Sequence, residues 1–208
     1  MESDLVKFIA ALFAIMNPAT AIPVFLTVTE GRSAAEQRRI AVTAAIAVFV
    51  ILLVAALFGK QLLTLFGISI ASFEAAGGII ILLMSLSMLR AESSRVHHSS
   101  EESQEGSQSD NPAFFPIAIP LLAGPGAIST AIIFSERLSS ASGIVIIGIG
   151  IAVMALVLAL SLSLAGRIAG VLGKTGMNIV SRIMGMILAA IAVEMIASGL
   201  KTLLPGLV

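Results

Sequence analysis

The 208-residue chain has no cysteine, no tryptophan and no tyrosine. Without cysteine there is no disulfide, no thiolate metal site and no cysteine nucleophile. Without tryptophan and tyrosine the usual interfacial aromatic belt is missing, and the ten phenylalanines replace only its apolar part. Charge is scarce too. Only 12 % of residues are charged, about half of what a soluble domain carries. Positive and negative charges cancel, and no polybasic run occurs, so no nucleic-acid partner is expected.

What is plentiful is apolar: 58 % of residues are hydrophobic and mean hydropathy is +1.08. The charges are clumped, leaving six apolar segments at residues 5–28, 40–58, 68–89, 113–135, 143–165 and 179–200. Each is near the roughly 20 residues that cross a bilayer core. The fold class is therefore all-α, a polytopic membrane protein of six transmembrane helices in a lipid bilayer. The first segment follows an acidic stub, Glu2 and Asp4. A secretory signal would open on basic residues, so the segment reads as a retained helix.

Residues 91–112 hold seven serines and five acidic residues with almost nothing apolar. Such a stretch cannot bury a core and reads as a flexible polar cytoplasmic linker. It separates a first three-helix repeat, residues 1–90, from a second, residues 113–208. Pro18 and Pro125, Gly59 and Gly166, Lys60 and Arg167, and Gly78 and Gly185 all share one spacing. Three crossings are an odd number, so the second repeat is inverted relative to the first. Inverted repeats recur in secondary transporters. The basic residues give the orientation. With the N-terminus outside, Arg32, Arg38, Arg39, Arg90, Arg95, Arg167, Lys174 and Arg182 are cytoplasmic, and Lys7, Lys60, Arg137 and Lys201 are outside. This excess favours both termini outside.

Five of the seven prolines fall in the first and fourth segments: Pro18, Pro23, Pro116, Pro120 and Pro125. Proline removes a backbone donor and clashes with the turn before it. Asn17 is a strong N-cap type and Pro18 suits the first helical position, so a half-helix is expected to start there. Gly124-Pro125-Gly126 does the same with less side chain. Breaks inside a membrane are tolerated where they face protein or a wet cavity. Each new half-helix offers free N–H groups and a positive dipole end, which suit a carboxylate. The preceding half-helices offer carbonyls for an ammonium group. The candidate substrate site is therefore Asn17, Pro18, Ala19 and Thr20 with Gly124, Pro125, Gly126, Ala127, Ser129 and Thr130. Proline kinks without a ligand are the plainer reading of the same residues.

Glu194 lies within the sixth segment, a costly place for a carboxylate, and is a candidate for carrying a coupling proton. Snorkelling, or pairing with Lys201, is the alternative. Glu74 and Arg182 read as interfacial anchors, and Ser85, Ser87, Ser161 and Ser163 as bonding their own helix backbone. Gly77, Gly78, Gly185, Gly166 and Gly170 suit close helix packing. Ser33-Ala34-Ala35-Glu36 has capping-box spacing. His97-His98 has no partners for a metal, so no metal or cofactor is expected. No catalytic triad or phosphate loop appears, and the chain is not expected to be an enzyme.

At Asn17-Pro18, followed by Ile22-Pro23-Val24-Phe25-Leu26, the chain resembles the MarC/SnatA family of bacterial and archaeal inner-membrane proteins. The stretch from Ile119 to Ser129, with Gly124-Pro125-Gly126 at its heart, carries the same resemblance more specifically. This chain has Ala19-Thr20 where many members place small residues including glycine. The resemblance implies a relative of the LysE-type exporter superfamily. For members called SnatA it implies transport of small neutral amino acids such as glycine and alanine. The expected function is a secondary transporter of such amino acids, an exporter and proton-coupled. An exporter of another solute or drug, or a non-transporting membrane protein, is the alternative.

Overall fold

The computed structural model describes residues 2–90, 122–138 and 140–207. In chain order the helices are α1 (Glu2–Met16), α2 (Pro18–Val28), α3 (Ala34–Leu65), α4 (Ile70–Leu89), α5 (Pro125–Arg137), α6 (Ala141–Ser163) and α7 (Ala165–Leu203), with a 3-10 turn at Pro205–Leu207. Among the described residues there is no strand. Among the described residues four helices are long and apolar enough to cross a membrane: α3, α4, α6 and α7. The pair α1–α2, bent by 42°, makes a fifth span if counted as one. Of the expected fourth segment only the second part, α5, is described. Its first part, with Pro116 and Pro120, lies outside the described residues, as do the 91–112 linker and His97-His98.

The helices bury one apolar face and expose another that is equally apolar. In α3, Ala41, Ala44, Ala45, Val48 and Leu52 are buried, while Ile46, Val50 and Val54 stand at least half exposed. In α6, Ile147, Ile151, Met154 and Leu158 point inward, while Ile144, Val145, Leu156 and Leu160 point out. Continuous outward rows of this kind would be an aggregation hazard in water, whereas lipid tails solvate them.

The expected capping box forms. The Ser33 hydroxyl accepts from the Glu36 N–H at 3.3 Å, and the Glu36 carboxylate accepts from the Ser33 N–H at 2.8 Å. Helix α3 is longer than residues 40–58 because this cap starts it six residues earlier and the helix continues to Leu65. In α7, Gly173 is non-helical at φ 60° and ψ −178°, a conformation confined to glycine. The long apolar helix Ala165–Leu203 is therefore broken at Gly173.

Glycines set the closest helix contacts. A Cβ on Gly78 would lie 2.8 Å from the Ala192 carbonyl oxygen and 2.8 Å from Ile196 Cγ1. A Cβ on Gly185 would lie 3.2 Å from the Ser85 carbonyl oxygen and 3.4 Å from Leu89 Cγ. Helices α4 and α7 thus approach through their backbones at two places along their contact. Gly166 and Gly170 do not follow that expectation: nothing lies within 4 Å of a Cβ at either. They sit at the start of α7, before Gly173, away from the α4 contact. Ser85 and Ser87 bond their own helix, donating to the carbonyls of Leu82 (2.7 Å) and Leu83 (3.2 Å).

Candidate functional site

Helix α1 ends where Pro18 has no N–H to give the Ala14 carbonyl. The Asn17 N–H still bonds the Phe13 carbonyl at 3.0 Å. Asn17 then turns to φ 33° and ψ 81°, and no other described non-glycine residue has a positive φ. Left-handed backbone costs a non-glycine residue about 1–2 kcal/mol, least for asparagine and aspartate. The Asn17 carbonyl collects the new helix: it accepts from the Thr20 N–H at 3.0 Å, the Ala21 N–H at 3.4 Å and the Thr20 hydroxyl at 2.9 Å. The Thr20 hydroxyl is therefore committed to closing the break.

Asn17 occupies the N-cap position and Pro18 the first helical one, yet the Asn17 side chain makes no capping bond. The left-handed backbone turns the amide away from the helix end. Asn17 is 2 % exposed, and its Nδ2 has no hydrogen-bond partner among the described residues. A buried donor without an acceptor costs about 1–3 kcal/mol. Near it the first turn of α2 leaves the Ala19 N–H without an intrahelical partner.

The second break is built differently. Gly124 has φ −71° and ψ 176°, an ordinary extended conformation, and Pro125 opens α5. The Ile128 N–H bonds the Gly124 carbonyl at 3.1 Å. Gly126 and Ala127, in the first turn, have N–H groups without intrahelical acceptors by position. A Cβ on Gly126 would lie 3.3 Å from Ile15 Cγ2, 3.2 Å from Ile81 Cγ1 and 3.5 Å from Met84 Sδ. Ile15 stands two residues before Asn17, so Gly126 packs beside the end of α1 and against α4.

Of the residues read as site candidates, Asn17, Pro18, Gly124, Gly126, Ala127, Ser129 and Thr130 are buried. Ala19 and Thr20 are half-buried and Pro125 is exposed. Ser129 packs on Gly77, whose Cβ would lie 3.2 Å from the Ser129 hydroxyl oxygen. Thr130 is set apart. It is 2 % exposed, its hydroxyl has no partner among the described residues, and it lines a cavity of about 600 Å³ between α1, α5 and α7. Glu194 lines the same cavity and is exposed, not enclosed in apolar packing. It forms no ion pair with Lys201 among the described residues.

Glu74 is not a surface anchor. Its side chain is 8 % exposed and accepts from the Arg137 guanidinium, which also donates to the Ser198 hydroxyl at 3.3 Å. Arg137 lies 63 residues further along, so only the folded chain reveals the pair. Next to it, Lys60 and Glu136 pair at 2.6 Å. Together these bonds tie the end of α5 to α3, α4 and α7. Arg182 is exposed, in keeping with an interfacial residue. Lys7, which joins Glu194 at the cavity, carries no motif that would have singled it out. Among the described residues no three His, Asp or Glu side chains group to hold a metal ion.

The MarC family integral membrane protein model matches residues 3–204. The chain is 37 % identical to the UPF0056 membrane protein YhcE of Escherichia coli strain K12, across 97 % of this chain and 94 % of that protein. It is 40 % identical to the UPF0056 membrane protein YvbG of Bacillus subtilis strain 168, across 100 % and 99 %. The archaeal UPF0056 membrane protein MJ1677 of Methanocaldococcus jannaschii is 38 % identical across 95 % and 98 %. No solved structure is significantly similar. A multi-pass helical body with lipid-facing rows, matched by relatives over nearly its whole length, belongs to the MarC family of integral membrane proteins.

Proposed function

We propose that the chain is a secondary transporter of small neutral amino acids, glycine or alanine in type, in the inner membrane. It exports them through a site between the two breaks, coupled to protons, with both termini outside. The observation that carries this reading is the Asn17 amide: a buried donor with no acceptor, beside backbone that the prolines have opened. A substrate carboxylate supplies the missing acceptor for Asn17 Nδ2 and for the N–H groups of Ala19, Gly126 and Ala127. The Ala14 carbonyl, which Pro18 leaves without a donor, suits an ammonium group. Ile15, Ile81 and Met84 crowd Gly126 and leave room only for a small side chain.

Contacts of α4 with α7 support the two-repeat, six-span architecture that the mechanism needs. Gly78 meets residues 192 and 196, and Gly185 meets residues 85 and 89. Each set is related to the other by the Pro18-to-Pro125 spacing, as a two-fold relation between inverted halves requires. Glu194, at a cavity wall, is the carboxylate available for coupling.

Uptake of radiolabelled alanine by proteoliposomes preloaded with unlabelled alanine tests the reading. Wild-type protein is expected to exchange alanine. Asn17→Asp, which swaps the donor for an acceptor of the same shape, is expected to abolish exchange. Full exchange by that variant would end the site assignment. No exchange of any small neutral amino acid by wild-type protein would end the substrate class.

A further inference from the structure

The cavity between α1, α5 and α7 is separate from the breaks and carries its own unsatisfied chemistry. Three polar groups line it without partners among the described residues: the Lys7 ammonium, the Glu194 carboxylate and the Thr130 hydroxyl. Lys7 and Glu194 share the cavity yet form no ion pair, so more than 4 Å separates the charged atoms. Arg137, also at the cavity, is occupied by Glu74 and Ser198 and serves as rim. Ile133 and Ile191 give an apolar wall. Lys7 and Glu194 are both exposed, so their charged groups are open to a ligand entering the cavity, which Asp4 also lines. At about 600 Å³ the cavity is in the range of small-molecule sites. Thr130 lies five residues beyond Pro125, about 7.5 Å along the helix axis, so the cavity ends one to two turns short of the second break.

We propose that this cavity is a second binding site, a vestibule that holds a neutral zwitterionic amino acid, its carboxylate toward Lys7 and its ammonium group toward Glu194. The Thr130 hydroxyl donates to the carboxylate at the floor, and an aliphatic side chain lies on Ile133 and Ile191. The ligand class rests on the reading of the chain as an amino-acid transporter. Opposite charges held apart reject solutes with a net charge, because one wall would then face a like or an empty partner.

The absence of native cysteine makes the test clean. Thr130→Cys and, separately, Ile191→Cys are placed in proteoliposomes and exposed to a membrane-impermeant cationic methanethiosulfonate, with and without alanine. Both thiols are expected to react. Alanine at about ten times its half-saturating concentration is expected to slow labelling about tenfold by mass action. Adding Lys7→Gln or Glu194→Gln is expected to weaken alanine binding about tenfold, the loss of one charge-assisted contact, and so to cut the slowing at that concentration to about twofold. No labelling at either position, labelling that alanine does not slow, or protection unchanged by both charge variants would overturn the vestibule. Alanine exchange that continues without protection at Thr130→Cys and Ile191→Cys removes the vestibule alone. Protection that persists while Asn17→Asp exchanges normally removes the break site alone.

Discussion

The two breaks share a proline-started half-helix and differ in everything else. At the first, Asn17 takes a left-handed backbone and holds a buried amide without a partner. At the second, Gly124 is in an extended conformation open to any residue, and the special demand is space: Gly126 lies against Ile15, Ile81 and Met84. Asparagine thus bears the strain that glycine would bear more cheaply, while glycine supplies the close approach. Strain kept at a residue whose side chain is also unsatisfied points to chemistry, not to packing. In the site proposed above, the first break supplies a functional group and the second supplies room for it.

The comparison breaks if Gly126 turns out to be replaceable. Gly126→Leu is expected to overpack the junction, costing about 1–3 kcal/mol and abolishing exchange, with thermal unfolding and flux as the paired readouts. Gly126→Ala, whose methyl would meet neighbours at 3.2–3.5 Å, is expected to keep the fold and lose only part of the flux. Next in size is the clamp on the end of α5. Arg137→Ala leaves the Glu74 carboxylate buried without its cation, and removing one partner of a buried pair is expected to cost about 2 kcal/mol here, since Arg137 is half exposed. A lowered unfolding midpoint that Arg137→Lys partly restores would sharpen the claim that α5 is held from both ends. At the small end, Gly166→Ala has open space around its methyl and is expected to stabilise α7 by about 0.5–1 kcal/mol. Destabilisation there would mean that the glycine serves a contact outside the described residues.

The apolar runs and the Ser33-to-Glu36 spacing made most of the helices readable in advance, because lipid solvation and local capping act within a few residues. The break at Pro18 and the start of α5 at Pro125 were legible for the same reason: proline acts on its own turn. What the Asn17 side chain does there was not, since asparagine caps helices in most contexts and only the φ of 33° shows the amide turned away. Glu74 was misread because its partner is remote in sequence. Gly166 and Gly170 look like a packing pair by spacing, yet they precede the Gly173 break and face no neighbour. Glu194 is exposed and lines a cavity shared with Lys7 on α1, a placement that no local pattern announces.

The most direct test of the first break as the donor of the substrate site is thermal unfolding of purified protein with glycine or alanine, wild type against Asn17→Gly. Glycine at position 17 relieves the left-handed strain and removes only the amide, so the variant should fold as well as wild type. Wild type is expected to gain stability with ligand, about 2.7 kcal/mol at a hundred times the dissociation constant, while Asn17→Gly shows a much smaller shift. Equal shifts in the two proteins would contradict the account, as would no shift in wild type with any small neutral amino acid.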